Sequence, residues 1–357
     1  MKKIFILFLV IITPFCCQRN SICTQAEAEY YYTTNVEHLF THCLISHPEI
    51  AFNKNNYMSK YYNADCLTIN EFSKILTCLY QNNYVLVSIN ECFEVKNNTA
   101  IKKKIKVPIN KKPLIISFDD VNYDSKKIGK GMVDKIILDE NGSIATSTKI
   151  GNKIDISYNN EFVTILEEFI KKHPDFSLNK ARGTINLTGY DGILGYRTSG
   201  KNTQNRQDEI DNAKKVVQAL KDLGWNFACH SYGHYHMKNI SIDKFKTEMT
   251  NWKAEVEPII GKTKIYVYPY GEWEVFDQSG EICEKHKLLA ENGFYLFCGV
   301  GMKTFYSYLP NKKHKILFMD RKCLDGNTLR ANHKELARFF NPLTILDSIR
   351  ENLDKQN

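Results

Sequence analysis

Pro113-Leu114-Ile115-Ile116-Ser117-Phe118 runs straight into Asp119-Asp120, and the reading of this stretch decides the fold. A nearly continuous apolar run of this length fits a central parallel strand covered on both faces. The two adjacent carboxylates repel one another and cannot both sit in an apolar wall. They serve either as a helix N-cap plus a solvated loop residue or, at the tip of such a strand, as a place where one of them ligates a divalent cation.

Strand and helix patterns alternate on both sides of this segment. Upstream, Val36 to Ile45 (VEHLFTHCLI) reads as a strand. Thr68 and Glu71 form a capping box for a helix whose apolar stripe is Phe72, Ile75, Leu76 and Leu79, and Tyr84 to Ile89 reads as the next strand. The Lys/Asn-rich stretch from Glu94 to Lys112 reads as a solvated connection. Downstream, a helix over Glu161 to Lys172 stops at His173-Pro174. A strand from Gly183 to Leu187 enters the glycine-rich loop TGYDGILGYRTSG (188–200), and a helix from Asp208 to Leu223 ends at Gly224. Trp225 to Cys229, Lys264 to Tyr268 and Tyr295 to Cys298 read as strands, Ser241 to Ile260 and Glu281 to Asn292 as helices. This alternation predicts an α/β fold with parallel strands, a barrel, whose chemistry gathers at the C-terminal strand ends. The expected divisions are a leader over 1–22, N-terminal βα units with the connection over 23–112, a barrel core over 113–345 and a tail over 346–357.

Three further strand tips deliver polar residues. Asn226 to Cys229 leads into His230-Ser231-Tyr232-Gly233-His234, Ile265 to Tyr268 into Pro269-Tyr270-Gly271, and Leu39 to Thr41 into His42. Histidines at i and i+4 on a short helical turn share one cation, although most such pairs are merely surface or core residues. Joined to the aspartates, a His/His/Asp set leaves a coordination position open, the catalytic rather than the structural arrangement. The second aspartate is then free to act as a general base.

Asp119-Asp120, the 230–234 HSYGH run and Tyr268-Pro269-Tyr270-Gly271 resemble, in order and spacing, the first three motifs of the NodB-type polysaccharide deacetylases, carbohydrate esterase family four. The resemblance extends to HLFTHCLI, LTINEFSKILTCLYQNNYVLVSI, FDDVNYD, HPDFS, LTGYDGILGYRTS and GWNFACHSYGHYH. It covers most of residues 36 to 275 and points to a Gram-positive subgroup of exported deacetylases. It implies a distorted (β/α) barrel of the NodB type that removes N-acetyl groups from an amino-sugar polysaccharide. By the same resemblance Asp120, His230 and His234 bind one divalent metal, zinc first, with cobalt, nickel or manganese also suited to the set. Asp119 is then the base that activates the attacking water, and the backbone N–H of Tyr270 helps to hold the tetrahedral oxyanion.

Two departures from the family pattern stand out. Val267 occupies the place of the third-motif arginine that orients the catalytic aspartate, and Arg197 in the glycine-rich loop either supplies that charge or fills a surface or structural role. No late Leu-x-His motif carries the general acid, since His314 precedes its strand KILFMD. Phe40-Thr41-His42 is similar to the same motif in circularly permuted relatives, which makes His42 the acid. A histidine that simply packs at a strand end is the alternative. Tyr123, Tyr190 and Trp273 follow strand ends and either stack on sugar rings or close the barrel rim. His236 lies off the face of the histidine pair and reads as solvent-exposed.

The leader begins with Lys2-Lys3 and an apolar run from Ile4 to Phe15, the length of a signal-peptide core and too short to span a bilayer. Secretion or cell-surface placement is expected; Cys16 and Cys17 invite a lipid anchor, but Thr13-Pro14-Phe15 before them is a poor lipobox, which leaves an unlipidated leader as the alternative. Of the eleven cysteines, Cys66, Cys78, Cys92, Cys229, Cys283, Cys298 and Cys323 sit in apolar or mixed surroundings without a C-x-x-C pair and read as buried free thiols rather than a disulfide framework. The formal charge of +8 is spread along 357 residues, as suits an anionic wall polymer, although heavy use of Lys, Asn and Ile has the same effect. No zinc-finger spacing, RNP signature or basic arm supports nucleic-acid binding. The expected partner is an acetylated cell-wall or extracellular polysaccharide: peptidoglycan, chitin-like or poly-N-acetylglucosamine. A non-catalytic carbohydrate-binding relative and an O-acetyl esterase are the competing readings.

Overall fold

The structure is a computed structural model that describes residues 28–32, 34–202, 204–272, 283–301, 306–310, 315–332 and 334–350. The expected leader, with Cys16 and Cys17, and Trp273 lie outside the described residues. Parallel strands form a closed barrel: β1 (Glu37–His42), β2 (Lys112–Asp119), β3 (Thr184–Leu187), β4 (Asn226–Cys229), β5 (Ile265–Val267), β6 (Leu296–Val300) and β7 (Lys315–Cys323). Each pairs with its successor, and β7 closes the ring by pairing Lys322 with Leu39 and Cys323 with Phe40 on β1. The expected (β/α) barrel is therefore present, with the first and last strands side by side.

Helices coat the outside. Helix α1 (Ile69–Gln81) starts at the expected capping box, in which the Glu71 N–H donates to Thr68 Oγ1 and the Thr68 N–H to Glu71 Oε2. Helix α2 (Phe162–Lys172) is seated by Phe162, which stacks on Phe118 of β2 at 3.8 Å between ring centroids, with Trp225 against both. Helix α3 (Arg206–Leu223) ends at Gly224, whose φ of 106° only glycine adopts cheaply. Helices α4 (Ile242–Glu255) and α5 (Glu284–Glu291) complete the coat.

The Lys/Asn-rich stretch differs from its expected form. It folds into an antiparallel hairpin, Phe93–Lys96 with Thr99–Lys102, and a strand, Ile105–Pro108, paired with Glu29–Tyr32. Asn97 and Asn98 have φ of 49° and 58°, the left-handed pair that a two-residue hairpin turn demands. Ile105 and Val107 are buried while Lys106 faces out, an alternation masked by the lysine content. The helix expected over Ser241 to Ile260 breaks after Glu255 into a second short helix, Glu257–Ile260, with Pro258 in its first turn. The strand at Tyr84 ends at Leu86 rather than Ile89.

Candidate active site

Strand alternation puts His38, Phe40 and His42 of β1, Ser117 and Asp119 of β2, and Met319 and Arg321 of β7 on the inner face. Register then sets the site, because His42 lies directly opposite Asp119. At the same rim, Asp120, His230 and His234 offer one ligand atom each, all within 4.8 Å of one another. His234 Nε2 is 3.6 Å and His230 Nε2 4.0 Å from Asp120 Oδ1. The histidines meet through a bend rather than the expected helical turn. Ser231 and His234 both take left-handed φ, 58° and 54°, and the His234 N–H donates to Ser231 Oγ at 3.0 Å.

Asp120 and Tyr270 share that left-handed conformation, with φ of 57° and 58°. Such residues cost energy and persist where the surrounding structure forces a side chain or amide into position. Here the turn after β2 swings the Asp120 carboxylate out of line with Asp119 and towards the histidines.

The donor set fits a divalent cation. His230 Nδ1–H donates to the Val267 carbonyl at 2.9 Å, which leaves the Nε2 lone pair facing Asp120. Burial pushes His234 down to about 4, so the imidazole is neutral, as a ligand must be. Burial works against the Asp120 charge, but His234 and then His230 hold its carboxyl below the usual range. Two imidazole nitrogens and one carboxylate oxygen form the open three-ligand set typical of zinc hydrolases.

Asp119 is 3% exposed and carries a different set of partners. Arg321 grips it with a fork, Nη1 to Oδ1 at 2.8 Å and Nη2 to Oδ2 at 3.0 Å, and Asn186 Nδ2 donates to Oδ1 at 2.6 Å. Burial opposes its ionisation; the Arg321 guanidinium, then His230, outweighs burial and holds the carboxyl well below the usual range. Arg321 is itself fully buried, donates to the Gly299 carbonyl at 3.2 Å and lies 4.0 Å over the Phe40 ring.

Arg321 is the residue that the sequence reading missed. Arg197 takes the structural one of its two expected roles: it ties Asp191 (2.9 Å) to the Tyr123 carbonyl (2.6 Å) and so braces the glycine-rich loop. A signal was present: Arg321 shares strand parity with Leu317 and Met319 in an apolar strand, and a charge buried there requires a carboxylate.

The remaining predicted residues fall as follows. His42 Nδ1 pairs with the Asp65 carbonyl at 2.9 Å, and its charge bears on both Asp119 and Asp120. Tyr270 is the second residue of a one-turn helix, Pro269–Gly271, so its N–H has no partner within that turn. Tyr190 is part-buried and donates to Asp124 Oδ2 at 2.8 Å. Tyr123 is 1% exposed, so the predicted stacking face is closed to a sugar and its ring is part of the core. All the described cysteines are free thiols.

Residues 106–279 match the family model described as polysaccharide deacetylase. Among solved structures, the chain is similar to the Streptococcus pyogenes deacetylase PplD in complex with acetate, at 15% identity and a TM-score of 0.46, covering 83% of this chain and 95% of that one. A polysaccharide deacetylase from Bacillus cereus is similar at 12% identity and a TM-score of 0.44, covering 85% and 69%. IcaB from Ammonifex degensii is similar at 13% identity and a TM-score of 0.41, covering 83% and 94%. No curated protein sequence matches the chain.

Proposed function

Because this chain carries a polysaccharide deacetylase domain, we propose that it is a metal-dependent hydrolase that removes N-acetyl groups from an amino-sugar polymer outside the cell. One observation carries this reading. A three-ligand cation site, an arginine-held carboxylate and a histidine meet at a single barrel mouth. A divalent cation held by Asp120, His230 and His234, zinc by preference, would polarise the acetamide carbonyl and make water more acidic.

The chain's own residues supply the rest. Asp119, kept ionised by Arg321, takes the proton of the attacking water. The Tyr270 N–H donates to the oxygen that gains charge as the carbonyl becomes tetrahedral. His42, with Nδ1–H committed to the Asp65 carbonyl, has Nε2 free to hand a proton to the departing amine. The feature that favoured a non-hydrolysing carbohydrate-binding relative was the missing third-motif arginine, and Arg321 fills that role from another strand.

The excess of +8 suits an anionic wall polymer such as peptidoglycan, and the apolar start of the chain suits an exported protein. Among the described residues no helix is long and apolar enough to cross a membrane. The test is acetate release from N-acetylated and O-acetylated glycans by protein stripped with a chelator and then reloaded with zinc. Release from the N-acetyl substrates that returns only with metal is expected. Release confined to O-acetyl substrates would make it an esterase, and no release from either would end the proposal.

A further inference from the structure

The end of the barrel opposite the cation site carries a feature that the hydrolytic chemistry does not use. A cleft of about 580 Å³ lies at the N-terminal ends of β4 and β5, beside the hairpin strand Phe93–Lys96. Asn226 lines it, and His230 at the mouth stands at the other end of the same strand, roughly 13 Å away at about 3.3 Å per residue. Phe93, Trp225 and Phe227, all buried, supply apolar lining.

Lys221, Lys262 and Lys264 line the same cleft. Lys221 Nζ donates to the Ile260 carbonyl at 2.5 Å, which fixes that ammonium against the cleft wall with two protons to spare. Among the described residues none of the three lysines pairs with a carboxylate, and the one acidic side chain of the lining, Glu94, is already held by Lys96 at 2.8 Å. Cations gathered in one concavity repel each other, and the concave shape concentrates their field on whatever anion approaches. This face of a barrel ordinarily serves stability, which unpaired like charges do not improve.

We infer that the cleft is a second binding site, one that holds the phosphate groups of an anionic polymer. Among the described residues no arginine lines it, so it lacks the planar fork that reads a carboxylate through two parallel bonds. Lysines act instead as compact point charges, suited to phosphate oxygens that spread their charge in several directions. The apolar lining faces the carbon links between successive phosphates. The excess of +8 draws a polyanion to the surface, and the cleft gives it a place to dock. Held by this end, the protein keeps its mouth turned away from the docked polymer and open to substrate.

Isothermal titration of the full zinc-loaded chain with an oligomer of glycerol phosphate reads the site. Lys262→Gln/Lys264→Gln changes two exposed side chains, which spares the fold, and affinity is expected to fall by about tenfold to thirtyfold. Lys214→Gln/Lys215→Gln, on the exposed face of α3, removes the same charge outside the cleft and should lose less than about twofold. Acetate release from a neutral N-acetylated oligosaccharide should be equal in all three proteins, since the mouth is untouched. A lysine-dependent difference in binding without acetate release from any glycan would keep the cleft and sink the deacetylase reading. Equal losses in the two double variants would reduce the attraction to net charge and overturn the site, as would binding that disappears when a chelator strips the cation from the mouth. Tighter binding of an oligogalacturonate, whose charges are carboxylates, would overturn the phosphate assignment. Displacement of the oligomer by an equal concentration of inorganic phosphate would overturn the polymer as its source.

Discussion

Replacing Arg321 by Met tests the centre of the site, because the change removes the charge and hydrogen bonds of the guanidinium while keeping most of the volume. Asp119 is 3% exposed, and Arg321 supplies two of its close donors, at 2.8 and 3.0 Å. In the variant the carboxylate remains buried with Asn186 and His230 beside it, too little to offset burial, so its pKa rises. Breaking a buried pair from one side costs about 3–5 kcal/mol.

The sign of the pH dependence follows from the direction of the shift. In the wild type the depressed Asp119 pKa adds stability that is present above the unfolded value and lost as pH falls through the folded one. In Arg321→Met the deficit relative to wild type is therefore largest at neutral pH and shrinks towards pH 4, where the lone carboxyl takes up a proton. Urea denaturation at several pH values reads this directly. The base is also lost to protonation and misorientation, so kcat/KM on an N-acetylated oligosaccharide should fall by about 10²- to 10⁴-fold, with the acidic limb of the profile moved to higher pH. Arg321→Lys, which keeps the charge but not the fork, should fall between. Zinc content measured on the same samples should stay near one per chain, since Asp120, His230 and His234 are untouched. A deficit independent of pH, or an unmoved acidic limb, would mean that Arg321 only fills space and that Asp119 is not the base.

Two other substitutions separate the remaining roles. His42→Gln should lower kcat on an amide substrate by about 10²- to 10³-fold with little change in KM, yet cost much less on a phenyl acetate, whose leaving group needs no proton; equal losses on both would remove His42 as the acid. Glu161, fully buried at the start of α2, accepts from the Leu44 and Phe162 N–H groups through Oε1, and burial pushes its carboxyl up to about 8. A raised folded pKa means stability that is full below the unfolded value and drains away as pH rises towards 8, so Glu161→Gln, which keeps the acceptor oxygen, should gain on the wild type with rising pH, on the order of 5 kcal/mol by pH 9. Parallel stability curves for the two proteins would refute this.

The barrel was legible because its strands are short apolar runs between amphipathic helices, and the local cues at Thr68, Gly224 and Pro113–Phe118 act within a few residues. The candidate cation set was legible because Asp120, His230 and His234 come in compact motifs at two strand tips. What escaped was set by alternation or by distance. Lysines hid the period-two pattern of Ile105 and Val107, and two asparagines that read as loop residues form a hairpin turn. Tyr123 looked like a rim aromatic because its loop follows a strand end, but its own left-handed turn (φ 47°) buries it. No periodicity reports on such turns.

Arg321 escaped for a more general reason, which concerns how a closed sheet stores function. A search for the missing charge near Val267 presumes that the arginine must come from the strand before Tyr270. Asp119, however, sits in the lumen, and inward positions on several strands reach it. β7 is far from β2 in sequence but is separated from it in the barrel only by β1. The pairing of Cys323 with Phe40 sets Arg321 over the Phe40 ring, within reach of Asp119 across β1. His42 stands on that same first strand, opposite Asp119. His42, Asp119 and Arg321 therefore cluster at the seam where the chain enters and leaves the barrel. A cut in a ring can fall between any two strands without moving an inward side chain, so a catalytic set can be preserved while its order along the sequence is rewritten. Loss of one motif residue in such a fold calls for a search of the inward-facing positions around the whole ring before it is taken as loss of activity.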